Sequence, residues 1–168
     1  MRLPRRFAAM SVAAATLAPG CPAPTEPVLS DSVELQIQAA PAEVTRYLYS
    51  GINDRRRLYI KDEETWTALW SEVTAHVGPK PEVPFIDFGN EAVVVVSMGT
   101  RPTGGYSINV ESVSESESDG TLYVEVVEVS PGPSCVVTQA ESAPVHAVRV
   151  PLRNGSVQFI ERASTRNC

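Results

Sequence analysis

The side chains that could move a proton at neutral pH are two histidines, His76 and His146. Nucleophilic catalysis needs such a base beside a serine, threonine or cysteine. His76 stands near the end of a helical pattern, where solvent or the helix dipole accounts for it. His146 lies in Val145-His146-Ala147-Val148-Arg149-Val150, on the strand face of Val148 and Val150, and reads as a partly buried, hydrogen-bonded ring. No G-x-S-x-G elbow, H-E-x-x-H pair, phosphate-binding loop or dinucleotide glycine pattern occurs. Asp87, set between Ile86 and Phe88, reads as an acceptor of turn hydrogen bonds and not as a catalyst. These residues imply no catalytic group, no metal site, no cofactor, and so no enzyme.

Binding chemistry is concentrated in Gly99-Thr100-Arg101-Pro102-Thr103-Gly104-Gly105-Tyr106-Ser107-Ile108. Pro102 fixes its own φ and keeps Arg101 out of helix, while Gly104 and Gly105 permit a positive φ and a close backbone approach. One reading of this corner is a hairpin loop or bulge that needs glycine for its geometry. The other is a contact surface made by Arg101, Thr103, Gly104, Gly105 and Tyr106, in which the guanidinium offers a planar set of donors to a carboxylate or carbonyls of a partner.

The flanks of the corner are strands. Val93 to Val96 is the continuous β-branched run of a strand buried on both faces, and Tyr106, Ile108 and Val110 alternate as in a half-buried one. Val33 to Gln38 alternates likewise. Thr45 to Ser50 and Arg55 to Ile60 flank Gly51-Ile52-Asn53-Asp54 and predict a hairpin, with Arg55, Arg56 and Arg57 either guarding a sheet edge or forming an anion-binding patch. Asp62 to Thr65 opens one helix, whose stripe Trp66, Leu69, Trp70, Val73 and Val77 ends at Gly78-Pro79. Ser114 to Gly120 is a solvated hairpin tip and Thr121 to Val129 the returning strand. Ser130 to Ser134 breaks the sheet, Val136-Val137 and Pro144 to Val150 resume it, and Asn154-Gly155 turns the chain into a final strand from Ser156 to Ile160. The predicted fold is α+β, a mostly antiparallel sheet or open barrel of about seven or eight strands with one amphipathic helix packed on it.

The wording of the corner, G-T-R-P-T-G-G-Y-S-I-N-V, resembles the signature of the PrcB-type protease-complex subunit family. The resemblance runs from about Trp66 to Val150 and takes in Phe85-Ile86-Asp87-Phe88, Val136-Val137-Thr138-Gln139-Ala140 and Ser142-Ala143-Pro144. It implies an exported or surface lipoprotein that binds a protease, helping it to fold or keeping it stable. A second class stays open. Thr103 to Tyr106 also resembles one loop of the chagasin-like cysteine-protease inhibitors, although equivalents of their other two loops are absent. A generic envelope binding module is the third reading.

The start of the chain gives an address. Arg2, Arg5 and Arg6 precede an apolar stretch from Phe7 to Ala18, well short of the roughly 20 residues that span a bilayer. Leu17-Ala18-Pro19-Gly20-Cys21 resembles a lipobox, although Ala18 and Pro19 depart from its usual residues. Residues 1–20 therefore read as a lipoprotein signal peptide, with an ordinary signal-peptidase cut nearby as the alternative. Residues 21–32, rich in proline, read as a flexible tether, and 33–168 as one domain held at the bacterial cell envelope by lipid on Cys21. Without the three leader arginines, eleven basic side chains face twenty acidic ones, which disfavours a nucleic-acid partner. Once Cys21 is set aside, Cys135 and Cys168 remain as a pair, and in an oxidising compartment they form a disulfide by default, two free thiols being the alternative. Acylation of Cys21 has a direct check: mass spectrometry of the mature N-terminus should find lipid on Cys21, and Cys21→Ser should release the chain from membranes.

Overall fold

A computed structural model describes residues 36–37 and 41–168. The leader, Cys21, the tether and most of the strand expected over Val33 to Gln38 lie outside the described residues. Among the described residues eight strands and one helix follow in the order β1 (Gln36–Ile37), β2 (Ala42–Tyr47), β3 (Arg55–Ile60), α1 (Glu63–Val73), β4 (Glu91–Met98), β5 (Ser107–Glu115), β6 (Leu122–Pro131), β7 (Val145–Pro151) and β8 (Val157–Arg166). They form two four-stranded sheets, β1-β5-β6-β8 and β2-β7-β4-β3. The expected α+β class holds, as two open sheets and not a closed barrel.

β4 explains the layering. Its Ala92, Val94, Val96 and Met98 meet Ile108, Val110, Val124 and Val126 of the other sheet, whereas Val93 and Val95 meet the helix. Asp62 caps α1 by accepting from the Thr65 N–H at 2.8 Å and the Thr65 hydroxyl at 2.9 Å. Trp66, Leu69, Trp70 and Val73 are the buried stripe. The helix ends at Val73, short of the expected Gly78-Pro79: Thr74 leaves helical geometry with ψ 13°, and the N–H groups of Ala75 and Val77 bond three residues back, to the Glu72 and Thr74 carbonyls.

The expected hairpin across Gly51-Asp54 does not form. β2 pairs with β7 and β3 with β4, so β2 and β3 are opposite edges of one sheet. The connection crosses under α1, where Ile52 is fully buried and the Gly51 N–H donates to the Glu72 carbonyl at 3.1 Å. A Cβ on Gly51 would stand 2.5 Å from that oxygen, so the glycine serves a helix contact and not a turn. Asn154-Gly155 likewise leads from one sheet into the other, and β8 runs parallel to β6.

The three arginines of β3 are committed inside the molecule. Alternation sends Arg55 and Arg57 toward the facing sheet, where Arg55 Nε lies 3.0 Å from Glu128 and Arg57 Nε lies 2.7 Å from Glu161. Arg55 also pairs with Glu161, and Arg57 with Glu128. Arg56 points the other way, to Asp54 at 3.0 Å and Glu72 of the helix at 2.7 Å. Burial works to raise the Glu161 carboxyl, but hydrogen bonds from Arg55 and Arg57 outweigh it and hold the group below its ordinary value. The strand is the sheet edge that one reading expected, and its arginines, in place of an anion-binding patch, make a charged clasp between the sheets.

His146 of β7 makes a second polar tie. Its Nδ1 accepts the Val110 N–H of β5 at 2.9 Å, which leaves the proton of the neutral ring on Nε2, facing a Glu43 oxygen at 3.3 Å. Arg46 of β2 reaches Glu43 at 2.8 Å and also Asn109 of β5. Burial, then the Arg46 charge, lowers the imidazole to about 4, with Glu43 opposing. The unfolded chain then binds a proton near pH 6.5 that the folded one refuses, so stability is full above that pH and falls as pH drops toward 4. Thermal and denaturant unfolding between pH 7 and 4.5 should show the wild type losing on the order of 2 kcal/mol more than His146→Asn, whose amide oxygen replaces Nδ1 without titrating. Equal slopes would remove His146 as the cause.

Candidate functional site

The corner between β4 and β5 is bound to its neighbours residue by residue. Gly99 has φ +69°, and a Cβ there would lie 2.8 Å from the Asn53 carbonyl. The Thr100 N–H donates to that same carbonyl at 3.1 Å. Arg101 and Ser142 exchange backbone hydrogen bonds of 2.7 and 2.9 Å, and the Ser142 hydroxyl donates to the Thr103 carbonyl at 2.7 Å. Gly104 is buried; its N–H donates to Thr138 at 2.9 Å, and a Cβ would come within 2.3 Å of the Thr138 hydroxyl. Gly105 has φ +85°, and a Cβ there would come within 2.7 Å of Val137 and 3.1 Å of Pro131.

The segment these glycines lean on is held by a disulfide. Cys135 and Cys168 are joined with a Cα separation of 5.0 Å, and the Gly132 N–H donates to the Arg166 carbonyl at 2.9 Å. The bridge thus fixes the end of β8 to the wall of the corner. Val136-Val137 does not resume the sheet. Gly132 and Pro133 end the β6 ladder after Pro131, and the wall is carried by the Gly104–Thr138 bond and the disulfide instead.

An apolar groove of about 300 Å³ results. Its floor is Gly104 and Gly105; its walls are Tyr106, Val137, the fully exposed Val136, and Leu48 and Tyr49 just past β2, 49 and 48% exposed. A more polar cleft of about 350 Å³, lined by Asn53, His76, Thr100 and Glu141, adjoins it through Tyr49 and Ser142. Three other parts of the chain, Leu48 to Asn53, His76 and Val136 to Ala143, therefore converge on the corner.

The five residues singled out from the sequence come together here with different roles. Gly104 is packing. Thr103 spends its hydroxyl on the Gly104 carbonyl at 3.1 Å, so it shapes the turn. Gly105 and Tyr106 line the groove, and Tyr106 also packs on the inter-sheet core. Arg101 holds its guanidinium 5.9 Å from the Tyr106 ring centroid; its buried Nε has no acceptor and no carboxylate pairs with it among the described residues. Leu48, Tyr49 and Val136 were not singled out from the sequence, where they read as strand residues. Asp87 accepts from the Gly89 N–H at 3.1 Å and the Asn90 amide at 2.8 Å, a turn before β4. Among the described residues no group of His, Cys, Asp and Glu could hold a metal ion.

Residues 92–151 match the family model described as PrcB C-terminal. The match runs from β4 to β7 and contains the corner and its wall up to Ser142, so the sequence resemblance is upheld over a narrower span than Trp66 to Val150. No curated protein and no solved structure matches the chain.

The fit of corner to wall can be measured by a double-mutant cycle. Gly104→Ala should cost about 1–3 kcal/mol, and Thr138→Ala, which removes the obstructing hydroxyl, should recover much of that cost in the double variant. Additive losses in denaturant unfolding would show that the two residues do not meet.

Proposed function

From the match of residues 92–151 to the PrcB C-terminal family, we propose that the chain is a non-catalytic, exported, lipid-anchored protein that binds an extracellular or envelope protease and stabilises it or assists its maturation. The groove beside the glycine corner is the contact surface. One observation carries this: exposed apolar side chains from separate stretches surround a backbone that is already fixed, beside an arginine with no acid partner among the described residues. A fixed backbone loses little entropy on binding, and a guanidinium that has no carboxylate partner among the described residues can offer donors to one.

The inhibitor reading draws no support from the geometry. Thr103 to Tyr106 does not stand free as a loop able to enter a cleft, since Gly104 at its centre is buried and its N–H is bonded to the Thr138 carbonyl. The two readings also differ in outcome. A helper raises the yield or lifetime of the protease, whereas an inhibitor lowers its activity in proportion to dose.

The test takes an exported protease encoded beside this chain as partner. Arg101→Ala and Tyr49→Ala should each weaken binding by about 1–3 kcal/mol and leave the melting temperature nearly unchanged. A loss of stability without a selective loss of binding would leave the corner as scaffold.

A further inference from the structure

The helix side of the molecule carries a second exposed apolar feature, built by the stretch between α1 and β4. Trp66 and Trp70 are buried, and their indole N–H groups donate to the carbonyls of Pro84 at 3.1 Å and Pro81 at 3.2 Å. Ile86 is buried and Phe88 packs on the same core. The stretch is therefore tied down at both ends, and Pro81 and Pro84 stiffen what lies between. Held this way, Val83 is 42% and Phe85 is 83% exposed. Burying them would remove apolar surface from water, yet the anchored backbone keeps them out. Beside them lies a groove of about 230 Å³, in which Glu63 and Trp66 face Val83, Phe85 and Phe88.

Charge says what fits there. Glu63, Glu64 and Glu82 are exposed, and none forms an ion pair among the described residues. Between residues 61 and 88 the lysines are Lys61, whose ammonium lies over the Tyr59 ring, and Lys80, and neither borders the groove that Glu63 lines. An acidic rim repels an anionic membrane surface and attracts lysine or arginine. We infer that the Val83–Phe85 ledge docks a polypeptide segment that sets a bulky apolar side chain against Val83 and Phe85 and a lysine or arginine against Glu63. This surface is independent of the corner groove.

Selection of a random peptide library displayed on phage, run on the immobilised wild-type chain and on Phe85→Ser, tests this. The exposure of Phe85 makes the variant's fold safe, and an unchanged melting temperature verifies it. The wild type should enrich peptides that place Lys or Arg near a bulky apolar residue, and Phe85→Ser should not. A synthetic peptide from that family should bind about tenfold or more weakly to Phe85→Ser. Its affinity should drop severalfold in Glu63→Gln, with a flatter salt dependence, and stay unchanged in Arg101→Ala. No enrichment, enrichment that survives Phe85→Ser, or peptides without basic residues would overturn the inference. So would binding to phosphatidylcholine vesicles that is lost in Phe85→Ser, which would assign the ledge to a lipid surface.

Discussion

The structure depends on the burial of β4 from both sides. A strand reading Ala92-Val93-Val94-Val95-Val96 has no face to show to water, so an apolar layer must cover each side. The second sheet covers one and α1 the other. At roughly 1.5–2 kcal/mol per fully buried valine, losing either layer would expose several kcal/mol of apolar surface. The corner inherits this rigidity, because it begins where β4 ends and its first glycine is already pinned against Asn53.

The two edges of the β2-β7-β4-β3 sheet are tied to the facing sheet by polar groups, in contrast to the apolar centre. At the β3 edge Arg55 and Arg57 meet Glu128 and Glu161; at the β2 edge Arg46 meets Asn109, and His146 meets the Val110 backbone. Such contacts add little net stability, since each group gives up water to make them. Removing one member is different, because it leaves the remaining charge half-buried without a partner. They fix how the sheets align, while the valines between them supply the drive to associate.

What could be read from the sequence was whatever leaves a local period. The helix stripe as far as Val73, the valine run and the alternation of β5 are such signals and stand where expected, whereas the tip between β5 and β6 is shorter than Ser114 to Gly120, since β5 runs on to Glu115 and Ser114 and Ser116 are buried. Pairing across the molecule leaves no local trace. Gly51 has the look of a turn residue, yet the Glu72 carbonyl is what forbids a side chain there. Val136 and Val137 have strand-forming side chains, but a proline, a glycine and a disulfide hold them off the ladder. At the candidate site the need for glycine was legible, and so was Arg101. Leu48 and Tyr49 reach the groove only because β2 pairs with β7, a fact that no window of sequence around the corner contains.

The parallel pairing of β6 with β8 bears on when this protein can become itself. Arg55 and Glu161, which the clasp brings together, are 106 residues apart, and β8 leaves the ribosome after every element it joins. Until then β6 has an open flank and the β3 arginines lack Glu161. Contacts of such long range close slowly, because the chain entropy must be lost before they form. A chain still being made thus stays pliant along nearly its whole length, and the sheet is completed only when its last strand is released.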